Sequence, residues 1–213
     1  MNIQFNQVLP VPLSSMSHVR DSLWNTSSVF NQGQKIMIEA QSGRGKSTLI
    51  HLLFGVRKDY HGEITFGRKK LSEFNESDWV DYRQHHVSIV FQDLQLFPFI
   101  TVLENLKVKN NLTKHFTDDQ LIEMLGRLGL LDKLHVLCGQ LSMGQQQRVA
   151  IIRALCQPFT WMLLDEPFSH LDEINASKCM ELINEECEKH SAGWIITSLG
   201  LQTTFSYDKL IHI

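Results

Sequence analysis

The sequence contains no apolar run approaching the roughly 20 residues that a membrane-spanning helix requires. No signal peptide opens it either, so the expectation is a soluble chain that docks on something embedded rather than one that crosses a bilayer. A basic excess is also missing. Lys and Arg number 20 against 23 Asp and Glu, a net charge of −3, which argues against nucleic acid as an obligate partner. Cysteine is scarce. Cys138, Cys156, Cys179 and Cys187 form no C-x-x-C pair, which removes zinc-ribbon and redox-motif readings. Cys179 and Cys187 share a helical face with Ala176, Met180 and Ile183, the pattern of thiols buried in a reducing cytosol. The ten histidines show no ligand spacing, and the adjacent pair His85 and His86 should diverge on helix or strand. Internal repeats and low-complexity linkers are absent. The 213 residues, 43% of them hydrophobic, therefore suit one compact unit carrying a subdomain.

What is present centres on Ala40-Gln41-Ser42-Gly43-Arg44-Gly45-Lys46-Ser47-Thr48. The short apolar run Ile36-Met37-Ile38 precedes it and Leu49-Ile50-His51-Leu52-Leu53-Phe54 follows, giving strand, glycine-bearing turn and helix in the order a phosphate-binding loop needs. Gly43 and Gly45 can take backbone angles closed to other residues, so that successive amides converge on an anion. Lys46 would reach the β- and γ-phosphates, and the Ser47 hydroxyl would ligate Mg²⁺. Ala40 stands where the strict pattern has glycine, a mild change because the phosphate-facing amides lie later, from Gly43 to Thr48.

Along the chain, residues 1–39 read as β-rich, with strands at 2–8 and 27–30 and a turn at Gly33; Pro10-Val11-Pro12 keeps this region from being a helix. A short strand is expected at 62–67, a helix over 75–83, and a buried strand at 87–91. From 93 to 156 the pattern turns helical. Thr117-Asp118-Asp119-Gln120 is a capping box, followed by Leu121, Ile122, Leu125 and Leu128 and stopped by Gly129. Ser142 starts another helix. The apolar strand Trp161-Met162-Leu163-Leu164 runs into Asp165-Glu166-Pro167; a helix over about 174–189 and strands at 194–197 and 209–213 close the chain. Strands alternating with helices, uniformly apolar where central, predict a mainly parallel sheet covered on both faces.

An apolar strand that ends in two acids is anomalous unless the acids have work. At the C-terminal edge of a parallel sheet beside a phosphate loop, Asp165 can hold Mg²⁺ through its water shell. Glu166 then sits where it could polarise a water attacking the γ-phosphate.

Leu141-Ser142-Met143-Gly144-Gln145-Gln146-Gln147-Arg148 resembles the signature of ATP-binding cassette (ABC) ATPases, usually Leu-Ser-Gly-Gly-Gln. Val90-Phe91-Gln92 is similar to that family's glutamine loop, and Ser169-His170-Leu171-Asp172 to its aspartate loop. The motifs stand in family order and cover nearly the whole chain. The resemblance implies an α/β P-loop NTPase with a mainly parallel core sheet and an N-terminal antiparallel β subdomain, together about 1–92 and 157–213. An α-helical subdomain of about 93–156 is inserted between them. It also implies a dimer that sandwiches two ATPs, each held by Ser42, Gly43, Arg44, Gly45, Lys46, Ser47 and Thr48 of one subunit. Ser142, Gly144 and Gln145 of the other would face the same nucleotide, Ser142 capping a helix whose amides can face a γ-phosphate. Asp172 would communicate between the sites. Gln92 would join Ser47 and Asp165 around Mg²⁺ and sense the attacking water, with Glu166 catalytic.

Three departures bear on this. Ser198 occupies the position after Thr197 where the family usually has a γ-phosphate-contacting histidine. Residues 11–17, where an aromatic usually stacks on adenine, contain none, leaving Leu13 or Pro12 to pack there. Met143 replaces the first signature glycine. The leading expectation is an ATP-hydrolysing transporter subunit on the inner face of the cell membrane, in the look of lipoprotein-release and macrolide-export cassettes. It would drive a separate permease docking near Leu94, Leu96, Phe97, Pro98, Phe99 and Ile100. Homodimer and heterodimer both stay open. The alternative is a slow, ATP-dependent dimerisation switch, motivated by Ser198.

Overall fold

A computed structural model describes residues 1–16, 22–41, 43–198 and 205–213. Ser42, and Ser17 at the end of the stretch expected to meet adenine, lie outside the described residues.

Two sheets organise the chain. Strands β1 (Ile3–Pro10), β2 (Ser27–Phe30), β4 (Tyr60–Phe66) and β5 (Lys69–Lys70) form an antiparallel sheet in the order β2-β1-β4-β5. Strands β3 (Lys35–Glu39), β6 (Val87–Val90), β7 (Trp161–Asp165), β8 (Gly193–Ser198) and β9 (Lys209–His212) form a parallel sheet in the order β6-β7-β8-β3-β9. The α/β class with a parallel core sheet is as the sequence predicts. The parallel strands are apolar because both faces are covered, and the pleat divides their side chains. Ile36, Ile38, Trp161, Leu163 and Ile195 face a core shared with the antiparallel sheet and helix α1 (Lys46–Phe54). Met37, Met162, Leu164, Trp194 and Ile196 face the opposite core. That second core also takes residues from α3 (Val102–Asn110), α4 (Asp118–Arg127), α5 (Met143–Leu155) and α6 (Glu173–Lys189). Cys179 and Cys187 are buried there with Ala176, Met180 and Ile183, and burial pushes both thiols up to about 12.

Local chemistry sets the element ends. Thr117 caps α4 while the Gln120 side chain returns to the Thr117 amide at 2.9 Å, and Gly129 takes φ +67 beyond the helix. Pro10 leads into a single 3₁₀ turn, Val11–Leu13, rather than an α-helix. The helix expected over 75–83 is shorter: α2 (Glu76–Asp81) passes into a π-helical turn, Tyr82–His86. That wider turn brings His85 and His86 to the same carboxylate, Asp81, at 2.9 and 3.5 Å, where regular geometry would splay them apart. Among the described residues no helix is long and apolar enough to cross a membrane.

The apolar stretch after Gln92 divides. Leu94 is buried and Leu96 packs against the core, whereas Phe97 and Phe99 stand exposed at 51% and 87%. Leu94 and Gln95 both take left-handed φ, 60° and 51°, a costly pair for residues other than glycine. Arg153 on α5 holds that turn by donating to the Gln95 and Leu94 carbonyls at 2.6 and 2.8 Å. Asn105 on α3 holds the next residues. Its oxygen accepts from the Phe97 amide at 2.9 Å, and its amide donates to the carbonyls of Phe97 and Thr101, each at 3.0 Å. Asn105→Ala strands these partly buried groups and should cost roughly 1–3 kcal/mol in chemical denaturation; an unchanged midpoint would show that the loop stands without it.

Candidate functional site

The site forms where the C-terminal ends of β3, β6 and β7 meet the N-terminus of α1. Gly43 and Gly45 take φ +78 and +105, as a loop that turns its amides inward needs. They differ in surroundings. A Cβ on Gly43 would meet nothing within 4 Å, whereas one on Gly45 would fall 2.6 Å from Leu13 and 3.2 Å from the Trp24 ring. Leu13, of the two residues expected to stand in for an adenine-stacking aromatic, is thus buried beneath the loop, while Pro12 is exposed. Trp24 is buried beside it and donates to the Arg44 carbonyl at 3.4 Å. Thr48 is in the first turn of α1, which Lys46 opens.

Lys46 is 6% exposed. Its ammonium donates to the Ala40 carbonyl at 2.8 Å and the Gln41 carbonyl at 3.4 Å, and it lies 3.6 Å from Glu166 Oε1. A buried ammonium needs such partners, because removing it from water is otherwise prohibitive. Asp165, 1% exposed at the end of β7, accepts from the Thr197 hydroxyl at 2.7 Å. The same hydroxyl oxygen accepts the Glu166 amide at 3.1 Å. Glu166 itself has φ +48, a strained conformation for a non-glycine residue that the surrounding bonds must hold. Gln147 on α5, almost fully buried, helps. It donates to the Glu166 carbonyl and the Ser169 hydroxyl at 3.3 Å each, and its oxygen accepts the His170 amide at 3.0 Å.

Ser47, Gln92 and Asp165 line one cleft of about 1140 Å³, together with Arg153, Ser169, His170 and Phe97. These three oxygen donors are the residues expected to surround Mg²⁺, and hard oxygen donors lining one cleft suit that ion. Ser198 ends β8 opposite Glu39 in the parallel register. Ser142, Gly144 and Gln145 stand outside the cleft's lining. Ser142 caps α5, with Gln145 Oε1 accepting the Ser142 amide at 2.9 Å. A Cβ on Gly144 would lie 2.7 Å from the His170 carbonyl, so the helix tip rests directly on the 169–172 segment. Asp172 caps α6 through the Asn175 amide at 2.7 Å, and that bond lowers its pKa.

A family model described as ABC transporter matches residues 23–169. The chain belongs to the ABC transporter family. The ABC cassette is 36% identical to the lipoprotein-releasing system ATP-binding protein LolD of Legionella pneumophila (strain Lens), over 84% of this chain and 81% of that protein. It is 33% identical to the macrolide export ATP-binding/permease protein MacB of Photorhabdus laumondii, over 78% of this chain but 26% of that protein. The dimeric structure of the bacterial ABC transporter cassette MJ0796 superposes with a TM-score of 0.77 at 26% identity, covering 92% of this chain and 87% of that one. A second structure of MJ0796, in a post-hydrolysis state bound to ADP and Pi, gives 0.76.

Sequence reasoning missed Thr197, Gln147, Trp24 and Arg153. Thr197 alone left a trace, as a hydroxyl ending an apolar strand. Its role predicts that Thr197→Val lowers ATP turnover by about ten- to a hundredfold, the usual effect of losing a group that orients a reacting one. Thr197→Ser should retain most activity. Equal losses in both variants, measured in steady-state assays, would assign Thr197 to packing alone.

Proposed function

We propose that the protein is the ATP-hydrolysing subunit of an ABC transporter, pairing with a second cassette on ATP and driving a separate membrane permease. The observation that carries this reading is the convergence of Ser47, Gln92 and Asp165 on one cleft beside the Lys46–Glu166 pair. Loop amides from Gly43 to Thr48, Lys46 and the dipole of α1 bind the triphosphate. Ser47, Asp165 and Gln92 would hold Mg²⁺, which would supply neutralisation of the phosphate charge. Glu166, its own backbone held by the side chains of Thr197 and Gln147, accepts a proton from the attacking water.

Ser142, Gly144 and Gln145, at the capped tip of α5, serve a nucleotide carried by a second copy or a related cassette. The dimeric arrangement named for MJ0796 supports this. Residues 94–100, with Phe97 and Phe99 exposed, are the docking surface for the permease. The names of LolD and MacB favour an export-type system working at the inner face of the cell membrane.

Ser198 supports a second reading, a slow switch in which ATP-driven pairing regulates a membrane partner. Turnover separates the two. Glu166→Gln should reduce ATP hydrolysis by about 10²–10⁴-fold and, with ATP and Mg²⁺ in excess, accumulate paired cassettes by light scattering. Ser198→His should raise hydrolysis in the otherwise native chain. Hydrolysis indifferent to Glu166→Gln would remove the pump. Failure of Glu166→Gln to pair, even with its permease, would remove pump and switch together.

A further inference from the structure

The ten histidines show no ligand pattern in the sequence, but folding assembles one. His115 lies in the connection between α3 and α4, while Glu186 and His190 belong to the last turn of α6 and its end. One ligand atom from each lies within 4.8 Å of the others. His190 Nε2 is 3.8 Å from Glu186 Oε2, and the two imidazole rings are 5.1 Å apart.

Three features make this more than a chance meeting of polar side chains. Glu186 is a carboxylate only 4% exposed, and such a group needs compensation. Lys189 takes Oε1 at 2.7 Å, and Oε2 lies towards the His190 imidazole. His115 Nε2 is shielded from solvent and has no hydrogen-bond partner among the described residues, an unusual and costly state for a ring nitrogen. The rings of Phe116 and Phe159, 4.5 Å from His115 and 6.1 Å from His190, wall the cluster with apolar surface.

We propose that His115, Glu186 and His190 form a binding site for a divalent transition ion of the zinc class, with solvent completing the coordination. Two imidazoles and a carboxylate are a donor set such ions prefer. Zinc bonds of about 2.0–2.2 Å place tetrahedral ligand atoms about 3.4 Å apart, so separations of up to 4.8 Å close by at most about 1.4 Å on binding. Burial holds His115 below the ordinary histidine pKa, with His190 acting in the same direction and Glu186 against it. That favours the neutral imidazole a metal needs. The site's place in the fold gives it a mechanical consequence. Arg127 on α4 already reaches Glu185 on α6 through bonds of 2.7 and 2.6 Å. A metal at His115 adds a second, deeper tie between the helical segment and α6.

The test is a titration of the chelator-treated, nucleotide-free full chain with zinc alone, followed by calorimetry and by the thermal midpoint. Expected are a single zinc ion per chain and a raised midpoint. His115→Gln and His190→Gln should each weaken binding more than about a hundredfold, the upper range for loss of an outer partner. Lys189→Ala changes an exposed residue and frees the Glu186 carboxylate, so it should tighten binding several-fold even if a histidine variant fails to fold. No zinc uptake, or uptake of equal affinity in the histidine variants, would overturn the site. Unchanged or weaker binding in Lys189→Ala would overturn it as well.

Discussion

The constraint on which the structure turns is the burial of Lys46 and Asp165 at the edge of an apolar sheet. Lys46 is 6% and Asp165 1% exposed, and neither ion can be taken from water without fixed partners. The partners come from far along the chain. The Ala40 carbonyl closes the loop onto Lys46, Glu166 approaches it from the end of β7, and Thr197 reaches Asp165 from β8. Parallel register makes this possible, since Asp165 pairs directly with Thr197 and the strands end together. A sheet covered on both faces leaves only its C-terminal edge for polar work, and the ions stand there.

From that edge, two attachments run into the helical layer. Gln147 ties α5 to the backbone between Glu166 and His170, and Arg153 on the same helix holds the turn at Leu94 and Gln95. The helix that carries Ser142 and Gly144 is thus bonded both to the acids and to the apolar segment bearing Phe97 and Phe99. A shift of α5 would be felt at both places, which is the kind of linkage a nucleotide-driven machine uses.

What could be read from the sequence was what local chemistry announces. Gly43 and Gly45 announce a turn between strand and helix, with φ of +78 and +105 and α1 opening at Lys46, and Asp165-Glu166 stands out as charge at the end of an apolar run. Capping residues Thr117 and Ser142 placed their helices for the same reason. Residues whose meaning depends on a neighbour distant in sequence stayed silent. Nothing near Trp24 says that it will stand beneath Gly45, or near Arg153 that it will satisfy two left-handed carbonyls. The π-helical turn that sends His85 and His86 to one carboxylate, and the fold that carries His115 to Glu186 and His190, are likewise products of packing. Local periodicity does not contain them.

The loop that holds Lys46 and the helix tip capped by Ser142 are, on this reading, halves of one site contributed by different copies. Mixing tests it most directly. Chains carrying Lys46→Ala and chains carrying Ser142→Ala, each nearly inactive alone, should together regain ATP hydrolysis, because each mixed pair contains one site with both groups intact. A mixture whose rate is only the weighted mean of the two variants would contradict the claim, and place both groups' work within a single chain.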